Sequence, residues 1–234
     1  GSADTIQTVD HIDDALSSCG IVVAPASRPT LGGLKRLIEE TNQRNLNETC
    51  PKPEVDIVDI WRRLLLQTGL EKFANDTALV VKLATAYEAR ANPTWPMPGA
   101  KDLLSTLKSA GLTIGIVSNA QILANADSLE SAGFDLDLSI FSNRFRQSKP
   151  GPRLFEVLTA ALARAGTRPQ EAVYVGNDML NDVYAASAAG LKTAWFVGDS
   201  RSCRPRLDDQ RCHDLRPDAV LTKLSELLDC LGLR

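Results

Sequence analysis

Val173-Tyr174-Val175-Gly176-Asn177-Asp178-Met179-Leu180-Asn181-Asp182 changes its period halfway along. The first three residues form a short apolar strand, and Gly176 lets the chain turn sharply off it. The continuation, with Ala185, Ala186, Ala188 and Ala189 ahead of Gly190, reads as a closely packing helix over residues 181–189. Asp178 and Asp182 then stand four apart, one helical turn, with both carboxylates on one face at the helix start. Oxygen ligands of that kind suit a hard cation such as magnesium. The competing reading is a helix cap, with Asp178 complementing the dipole. Two acids on the inner face of an alanine-rich helix are costly without a cation, which weighs toward a metal.

Strands and helices alternate on both sides of this turn. Helices are predicted over residues 100–110, 122–132, 152–165 and 224–231, and strands over 112–117, 138–141, 172–175, 193–197 and 219–221. Short apolar strands separated by helices imply a parallel sheet covered on both faces. In such sheets ligands bind beyond the carboxyl ends of the strands, so the residues just after each strand are the candidates for chemistry.

Two further strand ends are polar. Ile114-Gly115-Ile116-Val117-Ser118-Asn119 delivers a hydroxyl and an amide directly before a helix, where free backbone N–H groups can cradle a phosphoryl oxygen. Taken alone, Ser118 reads first as an N-cap. Ser148-Lys149-Pro150-Gly151-Pro152 holds a lysine in a proline-restrained loop, from which an ammonium can offset clustered anions.

Residues 30–90 are helical instead. Leu31, Leu34, Leu37 and Ile38 recur at three and four, as do Val55, Ile57, Val58, Trp61, Leu64 and Leu65, with Pro53 and Glu54 in the first turn of that second helix. A third helix covers residues 76–91. Asn92-Pro93-Thr94-Trp95-Pro96-Met97-Pro98-Gly99 ends it, because three prolines in six residues cannot continue a helix, and the domain boundary is placed there.

The 234 residues are 44% hydrophobic and 24% charged, the composition of a globular protein. Net charge is −3 and the sequence pI about 5.5, which gives no electrostatic footprint for nucleic acid or an anionic membrane. Arg204, Arg206 and Arg211 are diluted by Asp208 and Asp209, and residues 201–218 read as a solvated surface loop. Five cysteines at irregular spacing suit reduced thiols, and with no leader or membrane span in the sequence the reading is cytoplasmic.

Strand–Ser-Asn, Lys-Pro 31 residues on, and strand–Gly-Asn-Asp-x-x-x-Asp resemble motifs two, three and four of the haloacid dehalogenase-like (HAD) superfamily. The resemblance covers roughly residues 97–197, including Pro98-Gly99 and Ala189-Gly190. It implies an α/β fold, a three-layer Rossmannoid parallel-sheet core over residues 96–234, with an α-helical C1-type cap over residues 1–95. In that family an aspartate ending the first core strand attacks the phosphoryl group, and a second aspartate two residues on acts as acid and base. No such strand occurs here. Asp10, Asp13 and Asp14 lie in a polar helical stretch, Asp56 and Asp59 belong to an amphipathic helix, and Ile21-Val22-Val23-Ala24 runs into Pro25. The core is therefore expected to lack its first strand, with the nucleophile upstream of Gly1.

What the resemblance implies for the residues present is a magnesium-dependent phosphatase acting on a small phosphorylated metabolite through an aspartyl-phosphate. Ser118 and Asn119 would bind the phosphoryl group and Lys149 would bind it and serve catalysis. Asp178 would coordinate magnesium directly, with the Asn177 carbonyl, and Asp182 would orient metal-bound water or Lys149. The retained acids argue against dehalogenase-type hydrolysis, which needs no metal. The rival from another class is a non-catalytic HAD-like binding protein. No nucleic-acid or membrane partner is implied, and an oligomer is compatible with the reading.

Overall fold

The structure is a computed structural model that describes residues 11–93, 95–121, 129 and 133–233. Its first part is helical, with α1 (Ile12–Ser18), α2 (Leu31–Asn45), α3 (Ile57–Gln67), α4 (Glu71–Ala74) and α5 (Thr77–Ala91). Side-chain caps fix three of the starts. Thr30 accepts from the Gly33 N–H, Asp56 from Val58 and Asp76 from Leu79. The apolar stripes close on a core that includes Leu34, Leu64 and Leu83 around a fully buried Trp61, whose ring meets Tyr87 edge-on at 5.3 Å.

One boundary differs from the periodicity. Pro53 and Glu54 do not open α3; Asp56 caps it at Ile57, and the residues before are extended. Pro53 bridges antiparallel to Gln147, with Glu54 N–H donating to the Arg146 carbonyl at 3.0 Å and Ser148 N–H to the Lys52 carbonyl at 2.8 Å. This places the α2–α3 connection on the loop that carries Lys149.

Five parallel strands follow among the described residues: β1 (Gly115–Ser118), β2 (Leu138–Phe141), β3 (Val173–Gly176), β4 (Lys192–Phe196) and β5 (Ala219–Leu221). They form two sheets, β1-β2 and β3-β4-β5. The surrounding helices are α6 (Ala100–Ser109), α7 (Ser142–Phe145), α8 (Arg153–Arg164), α9 (Ala185–Ala188), α10 (Gln210–His213) and α11 (Glu226–Cys230). One apolar cluster joins Val117 and Ile140 to Leu154, Phe155 and Ala186, and another joins Ile114 to Leu103, Ala194, Phe196 and Leu221. The first cluster also takes in Tyr174 of β3, and the second sets Ile114, just before β1, against β4 and β5, so helices pack on one layered core that both sheets share. The break falls between β1 and β3, where the Tyr174 hydroxyl and the Lys149 ammonium reach the Val117 carbonyl at 2.9 and 3.0 Å.

Several predicted ends move for local reasons. β1 starts at Gly115 rather than residue 112, because the Ile114 N–H donates to the Asp137 carboxylate at 2.8 Å. The last helix begins at Glu226, whose carboxylate accepts from the N–H groups of Thr222 and Lys223. The helix predicted over residues 122–132 lies outside the described residues but for Leu129. The five cysteines are free thiols, and no described helix is long and apolar enough to cross a membrane.

Candidate active site

The turn after β3 is not a regular α-helix start. Met179–Tyr184 is a π-helical turn running into α9, a form frequent at functional sites. Gly176 is needed for contact rather than for an unusual φ, since a Cβ there would lie 2.3 Å from the Asp182 Cβ and 2.5 Å from its Oδ2. With that space clear, Asp182 Oδ2 accepts the N–H groups of Asn177 and Asp178 at 3.1 and 3.0 Å. Its other oxygen, Oδ1, lies 2.6 Å from Lys149 Nζ.

Lys149 is buried, and its ammonium donates three hydrogen bonds, to Asp182, to the Tyr174 hydroxyl at 2.7 Å and to the Val117 carbonyl. All three N–H groups are thereby satisfied. Asn119 holds the backbone beneath it, accepting from Lys149 N–H at 2.7 Å and donating to the Lys149 carbonyl at 3.1 Å. Its amide is committed to positioning the lysine loop. Ser118 ends β1 one residue beyond Val117, partly exposed. Ser118, Asn119, Lys149 and Asp182 are therefore brought together. Tyr174, which the sequence reading passed over, stands between them; burial and then the Asp182 charge push its phenol well above the usual range.

Asp178 goes elsewhere. Its carboxylate caps the π-turn by accepting from the Leu180 and Asn181 N–H groups, both at 3.0 Å, and pairs with Arg206. Partial burial would raise its pKa, but Arg206 and the two N–H groups outweigh burial and hold it below the usual carboxylate range. The stretch read as a solvated loop is thus in part a structured strap. Arg204 N–H donates to the Asn177 carbonyl and Met179 N–H to the Arg204 carbonyl, each at 2.9 Å, and Asn177 Nδ2 donates to the Ser202 carbonyl at 2.7 Å.

The residues assigned to magnesium do not converge on one cation in this arrangement. Asp182 is occupied by Lys149 and two N–H groups, the Asn177 amide is turned to Ser202, and Asp178 holds a guanidinium. Among the described residues no group of three or more histidine, cysteine or acidic side chains is placed to hold a metal. The spacing of four assumed a regular helical turn; in the π-turn Asp178 is taken up by two capping N–H groups and Arg206, and Asp182 by Lys149 and two other N–H groups.

The helical part closes over this end of the strands. Gln121 accepts from Ile57 N–H and donates to the Val55 carbonyl, both at 3.0 Å, and Arg146 pairs with Asp59 at 2.7 Å. Glu54 accepts from the Ser142 hydroxyl at 3.1 Å. Burial raises the pKa of Glu54 and of Glu88, and the Glu54 charge adds to the effect on Glu88.

Parallel strands, a buried lysine–carboxylate pair at their carboxyl ends and a helical unit above define a Rossmannoid α/β scaffold. The family model described as haloacid dehalogenase-like hydrolase matches residues 30–196. The chain is 31% identical over 173 residues to the ribulose-1,5-bisphosphate 5-phosphatase of Halopiger xanaduensis, covering 73% of this chain and 70% of that protein. It is 29% identical over 228 residues to a glyceraldehyde 3-phosphate phosphatase of Methanopyrus kandleri, with 93% of each covered. Among solved structures, the 2-haloacid dehalogenase from Pseudomonas syringae pv. Tomato DC3000 shares the fold, with a TM-score of 0.66 at 20% identity over 98% of this chain and 93% of that one. The chain belongs to the haloacid dehalogenase-like hydrolases.

Proposed function

We propose that the protein is a phosphatase that removes a phosphoryl group from a small phosphorylated metabolite. The observation that carries this is the Lys149–Asp182 pair beside Ser118, a buried ammonium fixed at a strand end where an anion can approach. Relatives at about the same identity are phosphatases of sugar phosphates and related small molecules, which favours that class over carbon–halogen substrates.

In this reading Ser118 and the backbone N–H groups beyond it hold the phosphoryl oxygens. Lys149 exchanges its bond to Tyr174 or Val117 for one of those oxygens, offsetting developing charge, while Asp182 keeps the ammonium in place. As the family resemblance implies, an aspartate attacks phosphorus while a second, protonated aspartate gives its proton to the ester oxygen, which leaves as an alcohol. Water then cleaves the aspartyl-phosphate to inorganic phosphate. The helices α1–α5 serve as the cap, with Gln121 and Arg146 as its latch on the core. Asp178 is the carboxylate that magnesium would approach. Free thiols and the acidic balance fit a cytoplasmic protein.

The test is phosphate release by the protein as its gene encodes it from glyceraldehyde 3-phosphate, ribulose 1,5-bisphosphate, phosphoserine and an aryl phosphate. Turnover of one natural ester well above the aryl phosphate supports the reading. No release from any of them overturns it.

A further inference from the structure

We propose that Arg206 occupies the divalent cation's place at Asp178, so that a metal binds this site only by displacing its guanidinium. The pair is a two-pronged one. Arg206 Nε lies 3.1 Å from each carboxylate oxygen and Nη2 lies 2.5 Å from Oδ2. Oδ1 also takes the N–H groups of Leu180 and Asn181, and Oδ2 takes Asn181 Nδ2 at 2.9 Å. A carboxylate offers about four lone-pair directions, so an incoming cation has to take one that a donor now holds. The N–H donors are fixed in the π-turn. Of the two side-chain donors, Asn181 Nδ2 and Arg206, Arg206 is the one whose charge a cation would replace, and its side chain is 39% exposed whereas that of Asp178 is 10% exposed.

The placement is built into the backbone. Arg206 adopts φ 54°, a left-handed conformation that L residues with a side chain seldom take. The strap before it is hydrogen-bonded to the turn through Arg204 and Ser202. A planar fork matched to a carboxylate holds better than a lone ammonium would. The sequence gives no hint of this partner, since 28 residues separate the two.

This rests on reading Asp178 as the cation-facing acid of the proposed site, and the test needs no turnover, so an inactive protein leaves it standing. Mn2+ is the probe, with the free ion counted by electron paramagnetic resonance against wild type, Arg206→Gln and Asp178→Asn. Arg206→Gln should bind Mn2+ about tenfold more tightly than wild type, the scale of one charge-assisted contact. Adding Asp178→Asn should abolish the gain. Equal or weaker binding by Arg206→Gln, or no binding by either protein, would overturn the proposal. Circular dichroism reports folding. If Arg206→Gln does not fold, Arg206→Lys, which keeps charge without the fork, decides the matter: tighter binding than wild type supports it and unchanged binding refutes it.

Discussion

Asp182 lies directly against the Cα of Gly176, close enough that a Cβ on Gly176 would stand 2.4 Å from the carboxylate carbon. The glycine is thus what admits the carboxylate that holds Lys149. Gly176→Ala should cost about 1–3 kcal/mol, the range for overpacking a filled interior, and should push Asp182 off Lys149. Urea denaturation checks the first part, and an unchanged midpoint would contradict it.

Removing one member of the Lys149–Asp182 pair strands the other in a buried place. Both side chains are under a tenth exposed. Lys149→Met or Asp182→Leu alone should destabilise the fold by about 3–5 kcal/mol, and the double variant should be less damaged than the sum of the two. Additive losses in a double-mutant cycle would show that the two do not act as a pair.

Tyr174→Phe removes one of the three acceptors of the Lys149 ammonium and a donor to Val117. If Lys149 gives up that bond when the phosphoryl group arrives, the variant should keep most of its kcat while its KM changes. A fall in kcat of about a hundredfold with KM unchanged would instead give the phenol a role confined to the transition state.

Glu54 and Glu88 bind their protons more tightly in the folded protein, chiefly through burial. Their contribution is fully present below the ordinary glutamate range and declines as pH rises through their raised values. Stability should therefore slope downward as pH rises above about 4.5 from this cause, and Glu88→Gln should flatten the slope. Denaturation midpoints across that range in the two proteins make the comparison, and identical slopes would contradict it.

The order of strands and helices was legible because the strands are short, apolar and bounded by Gly, Pro or polar residues, as at Val175-Gly176 and Pro150-Gly151-Pro152. The pairing of Lys149 with Asp182 was one of two roles read for that aspartate, and the geometry assigns it. The separate partners of Asp178 and Asp182 were not legible, since a π-turn has no periodic signal distinct from a helix start. Nor was Arg206, because a contact made across a loop leaves no pattern in spacing. Pro53 and Glu54 misled for a related reason: a proline suits an extended segment as well as a first helical turn, and only the pairing with Gln147 decides between them.

The most direct measurement is phosphate release from the best small phosphate ester by the full gene product and by its Lys149→Met variant, with folding of both verified by circular dichroism. The account predicts turnover in the first and a loss of at least about a hundredfold in kcat/KM in the second, the scale of one charge-stabilising group. Equal rates in the two folded proteins would contradict it and remove the lysine–carboxylate pair from the chemistry.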